Sequence, residues 1–151
     1  FFKDRDLCHS LFRLGVIKKY KSEVIILKIK RLDHIVLTVS DLAKATRFYH
    51  EVFDMPILEE SETVVTLRCG HQLLKLQTTA RKDALVAKTP TSGSADLCLV
   101  TGDALADDIN HLKSYFVEII AGPVTKSGAN GQMTSIYLND PDGNLIEISE
   151  Y

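Results

Sequence analysis

Polar residues set into short aliphatic runs are the places where this chain could do chemistry. Glu147 stands between Ile146 and Ile148, and His34 opens the run His34-Ile35-Val36-Leu37-Thr38-Val39 on the face opposite Ile35, Leu37 and Val39. Asp96 opens a similar run, Asp96-Leu97-Cys98-Leu99-Val100-Thr101, while Lys75 and Gln77 alternate with Leu74 and Leu76. An ionised group facing an apolar core costs several kcal/mol unless it is paired or bound to a metal. One imidazole and two carboxylates suit a divalent ion that accepts mixed nitrogen and oxygen ligands, such as Ni, Mn, Fe, Co or Zn. Each residue also has a structural alternative. A salt bridge to Lys75 or Arg68 would satisfy Glu147, and a hydrogen bond would satisfy His34; Asp96 could cap a turn after Ser92-Gly93-Ser94, and Gln77 could be solvated at a strand end. His9, His50, His71 and His111 fall in an extension, on a helix, at a turn and on a helix, and are assigned no role.

The elements that must hold these residues follow from periodicity. Residues 32–39 are rich in β-branched side chains and predict a strand. Ser40 or Asp41 can cap a helix over 41–54, where Leu42, Ala45, Phe48, Tyr49 and Val52 recur at helical spacing. After Pro56 come strand-like runs at 57–60, 63–68 and 72–78, with Gly70 marking a turn. Residues 79–94 read as a linker. Beyond it a strand is predicted over 96–101, then a helix capped by Asp103 with Leu105, Ile109 and Leu112 on one face, then a strand over 116–121. A loop over 122–131 and a hairpin of 133–138 with 145–149, turning through Asp140-Pro141-Asp142-Gly143-Asn144, complete the chain.

The second half thus repeats the first. His34 precedes the helix-opening Asp41 by seven residues, and Asp96 precedes Asp103 by seven. Internal duplication gives an α+β chain of two tandem βαβββ modules, roughly 30–79 and 95–151. If a pseudo-twofold axis relates them, His34 corresponds to Asp96 and Lys75 approximately to Glu147, with Gln77 on the face of Lys75. Four strands then point polar groups into one central cavity.

Composition narrows the function class. The chain has 151 residues, 45% hydrophobic, enough to bury a core. A net charge of −2 and no basic stripe interleaved with aromatics argue against nucleic acid. Residues 1–30 carry eight Lys or Arg against three Asp or Glu, net +5, leaving −7 for 31–151. Residues 1–29 read as a peripheral extension, with helical spacing at Leu7, Leu11 and Leu14. Its apolar run Val24 to Leu27 is far shorter than the roughly 18 to 20 residues of a membrane span, so no membrane is expected. The three cysteines, Cys8, Cys69 and Cys98, lack CxxC spacing. They suggest neither disulfides nor a thiolate zinc site, and a reducing cytoplasm is the expected setting. Cys69 and Cys98 are expected to be small buried hydrophobes.

The run Leu32-Asp33-His34-Ile35-Val36-Leu37-Thr38-Val39, the Phe48-Tyr49 pair and the closing Asp140-Pro141-Asp142-Gly143-Asn144-Leu145-Ile146-Glu147 resemble the ends of vicinal oxygen chelate domains. The likeness is to the glyoxalase-domain proteins in particular, and it covers roughly residues 30–151. It implies an open mixed β-barrel around a central pocket that holds one metal, with ligands from the first and last strands of each module. Carried over, it makes His34 and Glu147 the leading ligands, with Asp96 and Gln77 (or Lys75) in the remaining places. Asp96 stands where relatives often have histidine, and Lys75 or Gln77 where many have glutamate or histidine. Neither the glyoxalase I ligand pattern nor the two-histidine, one-glutamate set of extradiol dioxygenases and fosfomycin-modifying enzymes is therefore matched in full.

The activity so implied is that of a metal-dependent lyase, isomerase or related enzyme, lactoylglutathione lyase-like, acting on a small substrate with vicinal oxygens. Glu147 is the catalytic carboxylate, and Val36, Thr38, Arg68 and Cys98 share the inferred pocket side as substrate contacts. The alternatives are a metal-free small-molecule-binding protein comparable to the bleomycin-resistance proteins, a dioxygenase or a thiol transferase. The resemblance also implies a homodimer.

Overall fold

The computed structural model describes residues 27–81 and 85–151. The chain divides into two compact units, Phe1–Arg31 and Leu32–Tyr151, and the second carries all the helices and strands described below. The spacing at Leu7, Leu11 and Leu14 lies outside the described residues, as do Cys8 and His9.

Strands β1 (His34–Val39), β2 (Ile57–Glu60), β3 (Val64–Cys69) and β4 (Gln72–Thr78) form one sheet in the order β1-β4-β3-β2. β1 runs parallel to β4, and the other pairs are antiparallel. Between β1 and β2 lies helix α1 (Leu42–Arg47), started by Asp41, whose carboxylate accepts the Lys44 N–H at 2.9 Å. The single helix predicted over 41–54 is instead a short α-helix followed by a wider π-helical stretch, Phe48–Val52. Its apolar stripe still packs inward. Ala45, Tyr49 and Val52 are buried, and Phe48, Tyr49 and Phe53 meet edge to face with centroids between 5.1 and 5.8 Å apart.

The second half follows the same order: β5 (Asp96–Val100), α2 (Leu105–Ser114), β6 (Ile119–Gly128), β7 (Gly131–Asn139) and β8 (Leu145–Glu150). Its sheet is ordered β5-β8-β7-β6, with β5 parallel to β8. The repeat read from sequence is therefore a repeat of topology. The fold is α+β, two four-stranded sheets that do not close into one barrel.

Two local expectations change. Asp103 does not cap α2; Ala104 occupies the cap position without a side-chain bond, and Glu150 of β8 accepts the Leu105 N–H at 3.1 Å. A carboxylate from a distant strand thus meets the positive end of the helix. Residues 122–128, predicted as loop, belong to β6. Gly122 and Pro123 lie between paired positions where the register with β7 shifts, so they mark bulges in a strand rather than its end. Glycine is required at 122, where φ is +101° and a Cβ would lie 2.5 Å from the Ser135 carbonyl oxygen.

Strand alternation builds the core. Leu37, Val39, Val65, Leu67, Leu74 and Leu76 from the first sheet, and Ile136, Leu138, Ile146 and Ile148 from the second, join one buried cluster with Tyr49, Leu105 and Leu112. Each such side chain contributes about 1.5–3 kcal/mol when fully buried. His111 is exposed on its helix, and its Nε2 lies 2.8 Å from the Val52 carbonyl oxygen, tying α2 to the end of the π-helical stretch. No described helix is long and apolar enough to cross a membrane.

Candidate functional site

With the aliphatic residues committed to the core, strand parity places the polar ones on the opposite faces of the sheets. In the first sheet His34 pairs with Leu73, Val36 with Lys75, Thr38 with Gln77, and Lys75 with Thr66. In the second sheet Asp96 pairs with Leu145, while Glu147 lies between Cys98 and Tyr137, and Ser149 between Val100 and Ser135. The predicted residues are thus split, His34, Val36, Thr38, Arg68, Lys75 and Gln77 on one sheet and Asp96, Cys98 and Glu147 on the other.

Glu147 has the richest surroundings. Ser149 Oγ donates to its Oε1 at 3.4 Å, and Ser149 Oγ is itself 2.9 Å from Ser135 Oγ and 3.4 Å from Cys98 Sγ. Burial alone would raise the Glu147 pKa, but the surrounding hydroxyls of Ser135, Tyr137 and Ser149 and the Cys98 thiol outweigh it and hold the carboxyl below its usual range. No salt bridge to Lys75 or Arg68 is needed; hydroxyls of its own sheet satisfy it. Burial first, then the bond to Glu147, raises the Tyr137 hydroxyl.

The remaining candidates are more open. His34 is exposed, with Nδ1 3.0 Å from Asp33 Oδ1, and its side chain retains 41% of its accessible surface. Asp96 and Arg68 are exposed. Gln77 is buried rather than solvated; its Oε1 accepts from Arg81 at 3.2 Å and its Nε2 points to Thr38 Oγ1 at 3.4 Å. Val36 is exposed and Thr38 half-buried. Cys98 was expected inside a core but is exposed, because edge strand β5 turns it to the non-core face; Cys69 is half-buried against the core. Desolvation of its sulfur foremost raises the Cys98 thiol above its ordinary value, partly offset by Ser149.

Among the described residues, no three of His, Cys, Asp and Glu gather closely enough to hold a metal ion. The chain therefore brings Glu147 together with Cys98, and Gln77 with Thr38, without uniting the two sets. A separate groove of about 770 Å³ runs between the π-helical stretch and α2, lined by Phe53, Met55, Leu99, Asp108 and Tyr115; of the candidates it includes Arg68. Sequence reasoning passed over Ser135, Tyr137 and Ser149. Their signal was available in the parity of Ser149 with Glu147 and of Ser135 with Tyr137, hydroxyls alternating with buried aliphatics.

Residues 31–148 match the profile of the Glyoxalase/Bleomycin resistance protein/Dioxygenase superfamily. A virulence protein of Salmonella typhimurium is 39% identical over 93% of this chain and 97% of its own. The metallothiol transferase FosB of Staphylococcus haemolyticus is 29% identical over 80% of this chain and 83% of its own. Among solved structures, an integron cassette protein from the mobile metagenome of V. Cholerae superposes with a TM-score of 0.79 at 41% identity, covering 83% of this chain and 98% of that one.

Proposed function

The chain belongs to the Glyoxalase/Bleomycin resistance protein/Dioxygenase superfamily, and from that premise we propose that it is a metal-dependent enzyme of the glyoxalase type. It acts on a small substrate with adjacent oxygens, in the lyase or isomerase class or a related one. The observation that carries this reading is Glu147, an ionised carboxylate on the non-core face of its sheet, held by donors on two neighbouring strands. His34 adds to it. Its Nδ1 is engaged by Asp33, as in the carboxylate–histidine pairs that fix the tautomer of a metal-binding imidazole and leave Nε2 for the ion.

The donor set fits a divalent ion, Ni, Mn, Fe, Co or Zn, in its chemistry. His34 and Glu147 are the leading ligands, with Asp96 and Gln77 as further candidates. One chain does not gather three such donors among its described residues, so we assign them to the two halves of a site completed in a homodimer. A divalent ion held there would supply charge stabilisation to the substrate oxygens. The chain's own part is to accept and return a proton at Glu147, and to shape the substrate site with Val36, Thr38, Arg68 and Cys98. FosB is a metallothiol transferase, which supports metal dependence and keeps thiol transfer among the reaction classes. The cysteine content suits a reducing cytoplasm.

A second reading, a metal-free small-molecule-binding protein comparable to the bleomycin-resistance proteins, is favoured by one observation. The carboxylate of Glu147 and the amide oxygen of Gln77 already accept hydrogen bonds from the protein. Elemental analysis of protein purified without chelator decides between the two readings. About one equivalent of a transition metal, lost in both His34→Ala and Glu147→Ala, is the expected result; no metal after incubation with Ni, Mn, Fe and Zn would leave the binding protein as the better account.

A further inference from the structure

Ser135 and Ser149 are each fully buried, yet no apolar residue takes their places in strands that otherwise bury Met133, Ile146 and Ile148. Burying two hydroxyls is unfavourable unless their protons find acceptors. The pair has two protons. One is used between the two oxygens, 2.9 Å apart. The other needs a second acceptor, and the Glu147 carboxylate supplies it, with Ser149 Oγ 3.4 Å from Oε1. Tyr137 on the neighbouring strand β7 and Cys98 on β5 occupy the paired positions on either side of Glu147.

We propose that Ser135 and Ser149 are positioning residues for Glu147, their linked hydroxyls holding its carboxylate in one rotamer for a ligand on the open face. This inference rests on the reading of Glu147 as a metal ligand, and it concerns two residues that touch neither metal nor substrate. A hydroxyl pair beside a carboxylate acts as the outer partners of metal ligands do, restricting orientation before the ion arrives.

The test begins on metal-free protein. Three-bond couplings across χ1 of Glu147, measured by NMR, should report one rotamer in the wild type and averaging in Ser149→Ala and Ser135→Ala. Ser149→Thr keeps the oxygen and should restore the single rotamer; Ser135→Ala supplies the same comparison if Ser149→Ala does not fold. Co²⁺ titration should then show affinity about 10- to 100-fold weaker in the alanine variants than in the wild type. Unchanged Glu147 couplings in the folded alanine variants would overturn the inference. A wild type that binds no Co²⁺ would overturn the proposed function instead, whatever the couplings show.

Discussion

The Tyr49 hydroxyl, buried in the π-helical stretch of the first module, donates to Asp140 Oδ2 in the second module across 2.8 Å. Asp140 also accepts from the backbone of Asp142 and Asn144 and from the Asn144 side chain, while Asp142 accepts from the Ser40 N–H and Asn144 from the Ala95 N–H. The two short segments that carry the family resemblance, Phe48-Tyr49 and Asp140 to Asn144, are therefore hydrogen-bonded to each other and join the modules.

Removing that bond should weaken the fold. Tyr49→Phe leaves the ring in place and deletes one buried hydrogen bond to a charged acceptor, an expected loss of about 1–3 kcal/mol in urea unfolding at neutral pH. A loss near zero would mean that Asp140 is satisfied without Tyr49.

The same residue sets an alkaline limit. Burial foremost, then the neighbouring Asp140, pushes the Tyr49 pKa far up. The contribution is complete below the unfolded-state value of about 10 and falls as pH rises above it, because the unfolded chain can then release a proton that the folded one retains. Stability of the wild type should fall between about pH 9 and 11 more steeply than that of Tyr49→Phe; parallel profiles would count against a buried protonated tyrosine.

Glu147 has the opposite sign. Its carboxyl is held below the usual range, so its contribution is present above the unfolded value of about 4.3 and disappears as pH falls through the folded one. The difference in melting temperature between the wild type and Glu147→Gln should shrink below about pH 4, measured by circular dichroism.

Glu150 tests the long-range cap. Glu150→Ala removes the acceptor of the Leu105 N–H at the start of α2 and should cost about 0.5–2 kcal/mol. Amide exchange at Leu105 should accelerate, with β1 and β4 unaffected.

Gly122→Ala should be more damaging than an ordinary strand substitution. The added Cβ would press on the Ser135 carbonyl at a φ that side chains rarely adopt, at a cost above about 1 kcal/mol. Because Ser135 is linked to Ser149, which in turn contacts Glu147, weaker Co²⁺ binding is expected alongside the lower melting temperature.

Local pattern by itself determined a great deal here. Alternation in His34–Val39, Gln72–Thr78 and Leu145–Glu150 separates core residues from polar ones, since a pleated strand sends neighbours to opposite faces. The repeated βαβββ order, and with it the α+β fold, could be read from turn residues and spacing alone. Tertiary structure decided matters that depend on what lies across from a residue. Gly122 and Pro123 look like a loop until β7 pairs around them, and Asp103 looks like a cap until Glu150 arrives from β8. Glu147 could be read as needing a lysine until Ser149, Ser135 and Tyr137 are beside it. Chain neighbours set periodicity, whereas the partners of a buried polar group come from strands and helices remote in sequence, and only the folded chain specifies which hydroxyl meets which carboxylate.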